Sequence, residues 1–528
     1  NVVFSGANNL IVSKLTGNSG DETVVATAMT GNLTISAFTQ NTKVYGSSGV
    51  DTLTATNDVK LTAYTGAGND VVDVSAATSA GFDINTEAGD DTVTAGATAG
   101  AKINTGTGND TIITAAAAVE ITTGTGSDTI KMASAKDGVI VTDFEVGTDT
   151  LVLTGAGAAI NLKALTAPIA GAYNLDGSGN FDITLKNGGT AFTATNLANS
   201  IQLGSITAAG VKSAYTYTTV ADANATVNIV AGDKNDVIKV VTSDDNDGTS
   251  TAETTNITLG AGADTLVVGL ISGGEDSNTI TVTDFVSGTD KIILEGTADA
   301  VLNLGAVSVT SGKLDLAGFD VTLKNAGTAI LADGTKDASS IIQLGSADAA
   351  YVAAAGAVTG GKFNDFIDLA TGASVVNFID NGGMDTITNF TVASDDLSFD
   401  TITGIKATTG TAVTTTINAT DGAVYIMTAN TSINGDTIDY SKIGTTVNNA
   451  TVTLTDASVM ADVAAYIANA LSKEAANENY VAVINDNNNT KAYAYLVNVG
   501  SDGVITADDL KLIGTIDADA DITAGAIA

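Results

Sequence analysis

The sequence predicts an all-β protein made of parallel β-solenoid modules, with β-rich appendages and a small C-terminal α+β domain. Three observations carry that expectation. A Gly-x-Gly-x-Asp-x-apolar phrase recurs four times in succession, once with glutamate in its first position, strand-like segments between the copies alternate apolar and polar residues, and 57 glycines stand against one proline in 528 residues. Repetition at a fixed period of about twenty residues is what a solenoid needs, because one coil alone cannot bury its apolar face.

The four copies are Gly66-Ala-Gly68-Asn-Asp70-Val-Val72, Glu87-Ala-Gly89-Asp-Asp91-Thr-Val93, Gly106-Thr-Gly108-Asn-Asp110-Thr-Ile112 and Gly124-Thr-Gly126-Ser-Asp128-Thr-Ile130. Their aspartates are 21, 19 and 18 residues apart. The glycines permit positive φ, so the chain can turn tightly. The apolar residue two after each aspartate starts an inward-pointing strand. Segments such as Val71–Val74 and Phe82–Ile84 supply two strands per coil, joined by a plain turn of small residues at 76–81. Coils stack about 4.8 Å apart, so an unneutralised column of aspartates on one edge would repel itself. Calcium takes six to eight oxygens and suits a mixture of carboxylates and carbonyls. The opposite turns, 94–100 and 115–118, offer no ligands, so metal is expected on one edge only.

This phrase resembles the calcium-binding repeat of RTX proteins. The resemblance implies a β-roll-like solenoid holding several Ca2+ ions. In that family a nonapeptide makes half a coil and both edges bind metal, whereas here one phrase serves a whole coil.

Taken in order, residues 1–150 read as the first solenoid with its closing cap. Its early coils are worn: Ser47-Ser-Gly-Val-Asp51-Thr-Leu53 keeps the acid, making Asp51 a candidate ligand, and Ser19-Gly-Asp-Glu22-Thr-Val24 makes Glu22 a weaker one. The block ends at Asp143-Phe144-Glu-Val-Gly-Thr-Asp149, a phrase that returns as Asp284-Phe285-Val-Ser-Gly-Thr-Asp290 and, worn, as Asn389-Phe390-Thr-Val-Ala-Ser-Asp395. It resembles the segment that closes RTX blocks. A stack of strands ends in an open apolar coil that something must cover, and Phe144, Phe285 and Phe390 are the expected plugs. Asp149 and Asp290 are candidate ligands of a last ion. Residues 151–215 and 296–350 are expected as β-rich appendages that share Phe-Asp-x-Thr-Leu-Lys-Asn (181–187, 319–325) and Ile-Gln-Leu-Gly-Ser (201–205, 342–346).

A second solenoid at 216–295 carries candidate ligands Gly232, Asp236, Gly260, Gly262 and Asp264, and the acidic stretch 244–248 reads as a solvated loop. A third, short block at 351–415 carries Gly361, Asp365, Gly383 and Asp385. From 416 to 528 the texture changes to an α+β domain. A helix is expected over Asp456–Leu471, capped by Thr455 or Asp456, followed by a hairpin of Tyr480–Ile484 and Lys491–Val497. Tyr466, Tyr480, Tyr493 and Tyr495 are expected in its core. The small, acidic and apolar tail resembles the uncleaved ends of proteins exported by type I secretion.

Composition excludes several classes. The chain carries 21 lysines, no arginine and 59 acids, for a net charge of −38. Such acidity argues against nucleic acid and anionic membrane surfaces, while 44% hydrophobic residues supply a core. No apolar run reaches the roughly 18 residues of a membrane span. Histidine and cysteine are absent, which removes a Ser-His-Asp triad, a Cys-His pair and a His-based zinc site. RTX proteases and lipases depend on such groups, so an enzyme is not expected. The chain opens on Asn1, already in strand-like pattern, and reads as a processed form or a fragment.

The repetitive, Thr-, Ala- and Gly-rich chain resembles S-layer proteins of Gram-negative bacteria that carry RTX repeats. That likeness implies an extracellular, self-associating surface protein whose calcium both folds and bridges subunits. It also implies attachment to cell-surface polysaccharide or lipopolysaccharide through a part preceding Asn1. An adhesin or biofilm-matrix protein of the same fold stays open as the alternative. Ice binding is a third reading, prompted by Thr52-x-Thr54 and Thr92-x-Thr94.

Overall fold

The computed structural model describes residues 1–16, 21–56, 59–76, 81–96, 100–114, 119–132, 139–156, 160–162, 172–174, 182–187, 190–191, 200–207, 210–218, 226–241, 254–270, 278–297, 304, 309–310, 313–315, 319–325, 328–329, 338–407, 409–415, 417–429, 446–447, 450–451, 453–472, 476–486 and 490–528. The acidic stretch 244–248, the proline at 168, the turn at 115–118 and most of the other plain turns lie outside them.

Alternating side chains put one face of each strand inward, and successive strands of the first block fall alternately into two parallel sheets. Among the described residues one sheet has 11 strands and the other 9. Strands Thr52–Thr54, Val71–Val74, Thr92–Ala95, Thr111–Thr114, Thr129–Met132 and Thr150–Leu153 follow one another in the second sheet. Their register aligns Leu53, Val72, Val93, Ile112, Ile130 and Leu151 as one inward column, and all six are fully buried. Ile84, Ile103 and Ile121 form the matching column on the facing wall. This is the all-β parallel solenoid that the spacing predicts.

Glu22 falls on the wrong wall for the role its phrase suggested. It begins the strand Glu22–Met29 of the 11-stranded sheet, whereas the aspartates precede strands of the 9-stranded one. Thr52-x-Thr54 does not extend into an ice-type face either. The position of Thr54 is filled in the following coils by Asp73, Thr94, Ile113, Lys131 and Val152.

The two stretches expected as appendages also carry the stack forward. Ile201–Leu203 pairs in parallel with Thr150–Leu153, and Ile342–Leu344 with the strand Lys291–Thr297. Asp182–Asn187 and Phe319–Asn325 extend the facing walls. The repeated Ile-Gln-Leu-Gly phrase is thus an adapter coil between blocks. In each copy the glutamine amide donates to the carbonyl of the glycine two residues on, at 2.9 Å for Gln202 and 2.8 Å for Gln343.

Phe144, Phe285 and Phe390 are buried, as plugs should be. The C-terminal region contains the helix Ala457–Ala470, with Asp456 at its N-cap, and the antiparallel hairpin Asn479–Asn485 with Lys491–Asn498. All four tyrosines expected in its core are buried there. The tail strand Leu510–Ala518 lies between that hairpin and the solenoid, pairing antiparallel with the first and parallel with Asp385–Phe390. Among the described residues no helix is long and apolar enough to cross a membrane.

Candidate metal centre

The recurring geometry of the turns begins with close stacking. A Cβ on Gly89 would lie 1.9 Å from the Gly68 carbonyl oxygen, one on Gly108 2.0 Å from that of Gly89, and one on Gly126 1.8 Å from that of Gly108. No side chain fits between coils at that approach. With the backbones this near, each aspartate reaches the coil before it.

The amide of Asp51 donates to Asp70 Oδ1 at 2.7 Å, that of Asp70 to Asp91 at 2.7 Å, Asp91 to Asp110 at 2.8 Å, Asp110 to Asp128 at 2.8 Å and Asp128 to Asp149 at 3.2 Å. The second block repeats the pattern from Leu203 to Asp236, Asp264 and Asp290. The third repeats it from Leu344 to Asp365 and Asp385. The eleven expected aspartate ligands therefore form hydrogen-bonded columns, all of them buried.

Their second oxygens divide ten of them, all but Asp385, into two groups. Asp51, Asp149, Asp236, Asp290 and Asp365 clasp their own turns, because Oδ2 accepts the amide four residues earlier, from Ser47, Glu145, Gly232, Val286 and Gly361. Asp395 clasps Thr391 in the same way. In Asp70, Asp91, Asp110, Asp128 and Asp264, Oδ2 is buried with no hydrogen-bond partner. The residue four before each of these five has positive φ: 104° at Gly66, 68° at Glu87, 99° at Gly106, 98° at Gly124 and 96° at Gly260. The corresponding residues of the clasped turns, Ser47, Glu145, Gly232, Val286 and Gly361, do not. Positive φ re-aims that peptide, and at Gly124 and Gly260 the amide goes to the cap carboxylates Asp143 and Asp284 instead, at 2.8 and 2.9 Å.

An unpaired carboxylate oxygen away from water is costly, and the titration of these groups follows. Burial raises Asp70 and Asp264 to about 7, and Asp91 and Asp128 to about 6, from 3.8. Hydrogen bonds to the carboxylates oppose the shift, while the next aspartate of the column adds to it. Burial also raises Asp110, Asp51, Asp149 and Asp290, and lifts Asp236 to about 8. Clasped and open turns are raised alike, so the shift reflects burial of the whole column, and the unpaired oxygen alone distinguishes the open turns. The donor set fits a hard cation: one free, buried carboxylate oxygen per open turn, in a glycine-rich turn whose backbone carbonyls are the other oxygens on offer. Among the described residues no three acidic side chains converge, so a cation here would take the rest of its ligands from backbone oxygens and water.

Compared with known protein families, with curated proteins and with solved structures, the chain matches none. The reading of the site therefore rests on its own geometry.

A second, more exposed ladder escaped the sequence analysis. The residue before the aspartate accepts the amide of the same position in the next coil: Asn69 from Asp90, Asp90 from Asn109, and Asn109 from Ser127, and Asn32, which precedes Leu33, accepts from Val50 in the same way. Asn235 and Asn364 do likewise for Ala263 and Met384. The signal was present in the recurring Asn-Asp dipeptide at 69–70, 109–110, 235–236 and 364–365. The cap acids Asp143 and Asp284 were also missed as turn-closing groups. Asp143 takes the amides of Thr123 and Gly124, and Asp284 those of Leu259 and Gly260.

Proposed function

We propose that this chain is a secreted structural protein of a bacterial surface, a β-solenoid rigidified by calcium that assembles with copies of itself into a surface layer. The observation that carries the calcium part is the set of five buried, unpartnered aspartate oxygens in open glycine turns. Asp70, Asp91, Asp110, Asp128 and Asp264 would hold the ions, with backbone carbonyls of their turns. Bound calcium would supply the positive charge that the column lacks.

The chain's own residues do the rest. Glycines keep the coils close enough for each amide to engage the next carboxylate, and the clasped turns and buried phenylalanines close the ends of each block. Thirty-eight net negative charges oppose compaction, so without cation the open turns work against the fold. An ion that binds only the folded form stabilises it by RT ln(1 + [L]/Kd), about 2.7 kcal/mol per site at a hundredfold excess. Sites of extracellular type, with affinities of about 10⁻⁴–10⁻³ M, stay empty in the cytosol and fill outside. The chain would remain export-competent inside the cell and fold on arrival.

Circular dichroism in EGTA should show lost β signal that calcium restores, and an unchanged spectrum would defeat the coupling. Electron microscopy with and without calcium tests the assembly: ordered two-dimensional sheets support a surface layer, whereas dispersed calcium-loaded particles favour an adhesin.

A further inference from the structure

The third block contains a sixth open turn that is unlike the other five. Asn381, four residues before Asp385, has φ +54°, the backbone mark of the open kind, and the Asp365 amide donates to Asp385 Oδ1 at 3.1 Å as in every column. The second oxygen of Asp385 is nevertheless not among the buried unpartnered atoms. Lys511, from the exposed side of the tail strand Leu510–Ala518, places Nζ 2.7 Å from the Gly382 carbonyl oxygen, inside that same turn.

The surroundings explain why a lysine arrives there. In the first block the four open turns lie between the clasped turns of Asp51 and Asp149, and in the second the open turn of Asp264 lies between those of Asp236 and Asp290. The third block begins in the same way, with the clasped turn of Asp365. Its cap phrase, however, closes the other edge of the coil, since Asp395 Oδ1 accepts the amide of Ser374 at 2.9 Å and not that of Asp385. The aspartate edge is continued by the tail strand, aligned Asp385 to Gly514 and Ile387 to Ile516.

We propose that the Lys511 ammonium is the resident cation of the turn 381–385, taking the place that a divalent ion takes in the five other open turns. The tail strand thereby ends the aspartate column with a covalently attached charge. Attraction to Lys511 lowers the Asp385 carboxyl, against the larger upward effects of burial and of Asp365. The third block, with the C-terminal domain docked on it, then keeps its fold without added ion while the first two blocks depend on one. This inference rests on the calcium reading above.

The test is hydrogen exchange on the full chain, with Lys511→Met and Lys511→Arg, in EGTA and in millimolar calcium, together with equilibrium dialysis of calcium. Wild type and Lys511→Arg should keep the strand Asp385–Phe390 protected in EGTA. Lys511→Met should lose that protection in EGTA, recover it with calcium and bind one additional ion per chain. Unchanged protection in Lys511→Met overturns the inference. Loss that calcium does not restore overturns it as well, because Lys511 is then a contact and not a cation in the site. A wild-type strand Thr92–Ala95 that stays protected in EGTA with no calcium bound sinks the calcium reading itself, and is read separately from either Lys511 outcome.

Discussion

The amide of Asp70 donates to the carboxylate of Asp91, 21 residues further along the chain, at 2.7 Å, while the other oxygen of Asp91 is buried and unpartnered. One carboxylate thus joins two coils with one atom and creates a demand for charge with the other. Most testable consequences follow from that division.

Asp91→Asn separates the two roles. The amide oxygen still accepts from Asp70, but the buried charge is gone. In EGTA the variant should melt above wild type, and in saturating calcium below it, with one ion fewer by titration calorimetry. Asp91→Ala should lose in both conditions, by about 1–3 kcal/mol, because the Asp70 amide is left unpaired. Parallel shifts of Asp91→Asn in the two buffers would contradict the ion site.

The pH dependence has a definite sign. Folded carboxyls raised to about 6–7, against 3.8 in the unfolded chain, mean that the native state binds more protons across that interval. The stability of the ion-free protein should therefore fall as pH rises from about 4 to about 8, where Asp236 titrates, then level off. Calcium competes with those protons, so the calcium-loaded protein should gain stability over the same range. Thermal melts at pH 5 and pH 8, with and without EGTA, should give opposite orders.

Glycine stacking can be tested against a matched control. Gly108→Ala meets the Gly89 carbonyl at 2.0 Å with φ +133°, whereas Gly147→Ala has φ +82° and nothing within 4 Å. The second should cost about 1 kcal/mol, from positive φ alone. The first should cost several times more, or prevent folding of the block. Equal losses in denaturant titrations would show that the close approach is unimportant.

At the caps, Phe285→Ala should cost about 3–5 kcal/mol through the cavity it leaves. Asp284→Ala should cost about 1–3 kcal/mol, by freeing the amides of Leu259 and Gly260. Hydrogen exchange should place both losses in the last coils of the second block, with the first block unaffected.

Much of this fold was legible because a solenoid is nearly one-dimensional: the period sets the coil, and the alternation sets which side chains face inward. Asp70, Asp91, Asp110 and Asp128 stand in one column, as their spacing predicts, and the strand after each begins where expected. What was not legible lay in choices between equivalent-looking turns. Asp51 and Asp70 carry nearly the same phrase, yet one clasps Ser47 and the other does not, because the backbone at Ser47 and at Gly66 differs. Glu22 shows the limit in another way, since a matching phrase settled on the opposite wall.

By itself the sequence determined the repeat, the inward columns, the glycine positions and the acidic edge, because these follow from local backbone freedom and a two-residue alternation. Only the tertiary structure decided which carboxylates are satisfied, that the adapter strands carry the stack between blocks, and that Lys511, 126 residues after Asp385, reaches the Gly382 carbonyl in the turn before it. Those depend on where a hydrogen is aimed and on which distant strand comes to lie alongside, and neither is encoded in the spacing of a motif.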